Sequence, residues 1–102
     1  MAEGDQDFVN SVISVFLDEV PQDLEDLEKA IEAKDFDNVY KLAHKIKTNV
    51  DLLGMEQTRA TALEIETLGK SESNEAEIEA KFPLLKKDVL QVISELKKDF
   101  NF

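Results

Sequence analysis

Cysteine is absent from this chain, which excludes a disulfide framework and a thiolate metal site, and nothing points to an oxidising compartment. The three glycines are scattered at Gly4, Gly54 and Gly69. There is therefore no glycine-rich loop to cradle a nucleotide and no Gly-x-Ser-x-Gly elbow for a serine nucleophile, and the chain is not expected to act as a kinase by itself. A single histidine, His44, with no glutamate three residues before it, cannot supply the paired Glu-x-x-His ligands of a di-metal bundle. No apolar run approaches membrane-spanning length. The first twenty residues carry Glu3, Asp5 and Asp7 in place of a basic flank, so a cytoplasmic setting is expected. Basic residues are scarce, at 12 against 23 acidic ones, for a formal net charge of −11. That charge repels nucleic acid and anionic membranes, so neither is expected as a partner. Sustained strand-type alternation is missing as well.

Amphipathic helical patterning is what the chain does have. With 102 residues, 42% of them apolar, one domain over residues 1–102 can form its core without metals or disulfides. Phe8, Val9, Val12, Ile13, Phe16 and Leu17 form a first stretch, and Val20, Leu24, Leu27 and Ile31 a second. Pro21 lies near the start of the second, so Glu19 to Pro21 reads either as a break between helices or as a kink in one. Lys34 to Asp37 is a short connection whose aspartates can cap the next helix. That helix is expected over Phe36 to Leu53, ending at Gly54. Another runs from Met55 and stops near Gly69, with a polar linker at Lys70 to Asn74. A long one over Glu75 to Phe100 is either kinked at Pro83 or begins at Phe82. Short connections between long amphipathic stretches favour antiparallel neighbours, giving an all-α bundle. The phenylalanines read as core filler.

Within the third stretch Phe36, Val39, Ala43, Ile46, Val50 and Leu53 recur every three or four residues and define a buried seam. His44 stands about 130° from the centre of that seam at about 100° per residue, in company with Asp37, Tyr40, Lys47, Thr48 and Asp51, so its ring should reach water. Asn38 to Val50 holds no acid but carries Lys41, Lys45 and Lys47. This is either a solvated helix face or a positive island suited to an acidic partner or a phosphoryl group. With the other machinery excluded, the chemistry left is histidine as a nucleophile. Phosphoryl transfer needs positioning and charge stabilisation more than covalent machinery. Lys47, one turn after His44, is the candidate to pair with phosphoryl oxygens, and Thr48 offers a hydroxyl.

The run His44-Lys45-Ile46-Lys47-Thr48-Asn49-Val50-Asp51-Leu52-Leu53-Gly54 resembles the histidine-containing phosphotransfer (HPt) domain family. The family motif is a histidine, any residue, an apolar residue, lysine, a small residue, and a glycine ten places after the histidine. The stretch from Phe16 to Leu27 and the last helix are also similar, so the resemblance covers nearly the whole chain. It implies an antiparallel four-helix bundle with an additional short N-terminal helix. It implies that His44 accepts a phosphoryl group from a receiver-domain aspartate and passes it to another, with Lys47 steadying the oxygens. The implied partners are response-regulator receiver domains and a sensor or hybrid histidine kinase. Mg²⁺ belongs to the receiver, and no cofactor is expected on this chain. Tyr40, Lys41, Lys45, Thr48 and Asp51 are the expected docking residues, with Gly54 as a helix terminator. Thr48 and the two residues after it are bulkier than the small residues usual in the family. A rival of another class is a bundle that binds or inhibits a receiver or kinase without carrying phosphate.

Overall fold

The computed structural model of the chain consists of α1 (Ala2–Glu32), α2 (Phe36–Leu52), α3 (Glu56–Ser71) and α4 (Glu75–Phe100). It describes the backbone of residues 2–72 and 75–100 and the side chains of residues 8–72 and 75–98. Each helix packs against its neighbours in chain order, and α1 and α4 close the ring. Short connections turn the chain back between successive helices, and ion pairs tie the neighbours together. Lys45 of α2 meets Glu19 and Asp23 of α1, Lys81 of α4 meets Glu64 of α3, and Lys86 of α4 meets Glu28 of α1. Every neighbouring pair is antiparallel, so the all-α antiparallel bundle expected from the periodicity is the fold observed.

The core runs down the ring's centre through Phe16, Val20, Leu27, Val39, Ala43, Ile46, Val50, Ala62, Ile65, Ile78, Leu85 and Val89. Among the described residues no separate N-terminal helix precedes the bundle, because α1 continues unbroken through Pro21. Proline in a helix interior costs about 3 kcal/mol. Ile13, Phe16, Val20, Leu24, Leu27 and Ile31 nevertheless share one flank only while the helix stays continuous, and each is buried. Burying one such side chain contributes about 1.5–3 kcal/mol, so several together outweigh the proline. The same holds in α4, where Pro83 is exposed and interior to a helix that buries Ile78, Phe82, Leu85 and Val89.

Two expectations about packing are corrected. Phe8 and Val9 are not core but 64% and 41% exposed. α1 has 31 residues against 17 in α2, a difference of about 20 Å at the helical rise of ~1.5 Å per residue, so its first turns outreach α2. The side chains of Phe100 and Phe102 lie outside the described residues. Gly69 does not stop α3, which continues to Ser71 and is capped by Glu72 in the left-handed conformation. Gly54 does terminate α2 as expected. Its φ is +72°, and its N–H donates to the Asp51 carbonyl at 3.0 Å. Asp35 caps the start of α2 by accepting from the Asn38 backbone N–H at 3.4 Å.

Candidate functional site

α2 buries Val39, Ala43, Ile46 and Val50, which turns His44 outward with its side chain 56% exposed. The ring is not free. His44 Nδ1 lies 3.1 Å from Oε2 of Glu66 on α3, and the other oxygen of that carboxylate is 2.7 Å from Lys47 Nζ. Burial pushes the Glu66 carboxyl up, but the hydrogen bonds and charges of Lys47 and His44 outweigh it and hold the group below its usual range. An ionised carboxylate can only accept, so Nδ1 carries the ring proton and donates it to Glu66. Nε2 is then the nitrogen with the free lone pair, on a ring open to solvent.

Glu66 escaped the sequence reading, which found Lys47 but not the acid that holds it. The other candidates divide between two flanks. On the α3 side stand Tyr40, half-buried with Lys70 Nζ 5.7 Å above its ring, and Asp51, paired with Arg59 at 3.5 Å. Lys41 and Lys45 line a groove between α1 and α2 instead. Lys41 pairs with Asp37 at 2.9 Å, and Lys45 with Glu19 and Asp23, both at 3.2 Å. The acid-free stretch is therefore not a bare positive island, because acids from α1, from α3 and from the start of α2 match each lysine. The Thr48 hydroxyl donates to the His44 carbonyl at 3.0 Å and is engaged by its own helix.

Asp23 is the strained member of this neighbourhood. It is 5% exposed, and its Oδ2 has no hydrogen-bond partner. Burial pushes its carboxyl up, with Lys45 pulling the other way and Glu19 and Asp26 adding to the rise. A raised native value means that the folded state holds the proton more tightly than the unfolded one. This group therefore removes stability as pH rises from its ordinary value through its native one. Asp23→Asn is expected to flatten that part of the stability curve in urea melts and to add up to about 1 kcal/mol at neutral pH. Lys45→Met, which strands the carboxylate, should lose about 1–3 kcal/mol. Equal stabilities at neutral pH for both variants and the parent would show the pair to be solvated.

The profile of the Hpt domain family matches residues 11–98. The chain belongs to the Hpt domain family. It is also similar to the phosphorelay intermediate protein rdeA of Dictyostelium discoideum, 28% identical over 103 residues, which takes in 98% of this chain and 40% of the relative. The chain thus spans less than half the length of that relative. No solved structure matches significantly. Membership of that family goes with a phosphotransfer role for the domain. No described helix is long and apolar enough to cross a membrane.

Proposed function

We propose that this Hpt domain relays a phosphoryl group between receiver-domain aspartates through Nε2 of His44. The observation that carries the reading is the half-exposed ring whose Nδ1 is tied to the Glu66 carboxylate. In the forward step Nε2 attacks the phosphorus of an aspartyl phosphate, the Nε2–P bond forms, and the P–O bond to the aspartate breaks. The receiver carboxylate leaves as the anion. The ring becomes cationic as it gives up the Nε2 lone pair, and the proton on Nδ1 stays hydrogen-bonded to Glu66, which compensates the charge. Lys47 has three donors and can turn one to the phosphoryl oxygens while keeping another on Glu66. The receiver supplies Mg²⁺ and its acidic pocket, while Lys41 and Lys45, already paired with acids of this chain, stay at the rim.

The receiver docks across the outer face of α2 and the adjoining flank of α1. Glu19 faces α2 through Lys45. Val15, one turn earlier on the same flank, is 44% exposed, and Phe8, two turns further back, is 64% exposed. Leu52, two turns after Lys45, is 57% exposed. Val15 and Leu52 lie toward the Gly54 end of α2 from the histidine, Phe8 continues their flank past the end of that helix, and Tyr40, Thr48 and Asp51 complete the face. Val15→Asp is expected to weaken receiver docking about tenfold, read as a rise in KM for transfer, with melting unchanged as at most surface positions. An unchanged KM would remove α1 from the interface.

The function itself is tested by mixing the protein with a receiver carrying labelled phosphate. A relay becomes labelled on histidine, in a form labile to acid and tolerant of base. A protein that binds the receiver yet gains no label is the non-carrying interaction module instead.

A further inference from the structure

Gly69 is out of place for a helix terminator and is also a poor residue for a helix interior. It lies inside α3, while the left-handed cap that favours glycine falls on Glu72 with φ 53°. Glycine is, after proline, the least favourable residue in a helix interior. What sets the position apart is its neighbour. A Cβ built on Gly69 would stand 3.0 Å from the backbone nitrogen of Tyr40, 3.0 Å from Cγ1 of Val39 and 3.3 Å from the Tyr40 Cα. The two backbone atoms belong to α2 and cannot swing aside as a side-chain tip can. By contrast, nothing lies within 4 Å of a Cβ built on Gly54.

Both partners in this contact are one turn from the site. Tyr40 precedes His44 by four residues and Gly69 follows Glu66 by three, so each pair shares a helix flank. We infer that Gly69 is a positioning residue, whose missing side chain lets α3 approach α2 closely enough for the Glu66 carboxylate to reach Nδ1 of His44 and set its tautomer. The inference rests on the proposed use of Nε2 as the nucleophile, but the contact it describes is present before any phosphate arrives. A methyl group at residue 69 must push the two backbones apart by a few tenths of an ångström, and the displacement falls on a hydrogen bond already 3.1 Å long.

The test is Gly69→Ala read by the ring-nitrogen NMR signals of His44, the one histidine of the chain. In the neutral ring of the parent the proton should sit on Nδ1. In the variant the signals should move toward the Nε2–H form that a free imidazole prefers, with helical circular dichroism retained and phosphoryl transfer about 10- to 100-fold slower. In a Glu66→Ala background the same substitution should slow transfer no further. A variant that keeps its proton on Nδ1 would overturn the inference, and so would equal slowing with and without Glu66. If Gly69→Ala does not fold, Glu66→Asp carries the test with Gly69 intact. Its carboxylate is one methylene shorter, so it should lose the Nδ1–H form, and retention of that form would show that helix spacing does not control the ring. Should the parent accept no phosphate at all, the proposed relay fails while the tautomer measurement still decides the role of Gly69.

Discussion

His44→Gln is expected to abolish phosphoryl acceptance from a receiver while leaving the fold in place. The chain has one histidine and no cysteine, so no second imidazole or thiol can take over, and the loss should be complete rather than graded. The fold should survive because the ring is turned away from the seam and contributes one hydrogen bond at the surface. Glutamine can donate to Glu66 in its place. Surface changes of this kind stay within about 0.5 kcal/mol, which for a domain of this size moves melting by about 2–4 °C. The receiver should still bind, since docking depends on neighbouring side chains. Label accumulating on the variant would transfer the chemistry to another residue, and a collapse of the melting transition would mean that the ring supports the core.

The contrast between faces of α2 was legible because it depends only on a 3.6-residue period. Val39, Ala43, Ile46 and Val50 are buried, and His44 is out, as the spacing requires. Gly54 was legible for a similar reason, since few residues accept its backbone angle. Glu66 was not, because it belongs to another helix and its importance arises only when α3 folds back on α2. A geometric clue did exist. Once Gly54 and Met55 are taken as the corner of an antiparallel pair, residues equally far from Met55 along the chain face one another. His44 and Glu66 obey this rule, and so do Tyr40 with Lys70 and Asp51 with Arg59. The lysines left two readings open for the same reason. Charge counted along Asn38 to Val50 omits the acids that α1 and α3 bring against it. Pro21 left a break and a kinked single helix both open, and the shared burial of Phe16, Val20, Leu24 and Leu27 decided for the single helix.

Ile46→Ala, two residues from the histidine, should give the opposite pattern to His44→Gln. Ile46 has no exposed surface and sits in the core among the buried residues of all four helices. Truncating such a side chain removes its transfer energy and leaves a cavity that the surrounding helices fill only in part, typically at a cost of 2–5 kcal/mol. Against the roughly 5–15 kcal/mol that hold a small domain folded, this is a large fraction. A loss of about 3 kcal/mol corresponds to a fall in melting temperature of about 12–24 °C. At a temperature where the variant is still folded, its transfer rate should remain close to the parent's, because the His44, Glu66 and Lys47 contacts lie on the other side of α2. Thermal and urea melts with a transfer assay in the cold separate the two effects. A shift below about 4 °C would mean that the seam beneath His44 is not closely packed. Slow transfer by fully folded variant would mean that core packing and ring placement are coupled through the helix rather than divided between its faces.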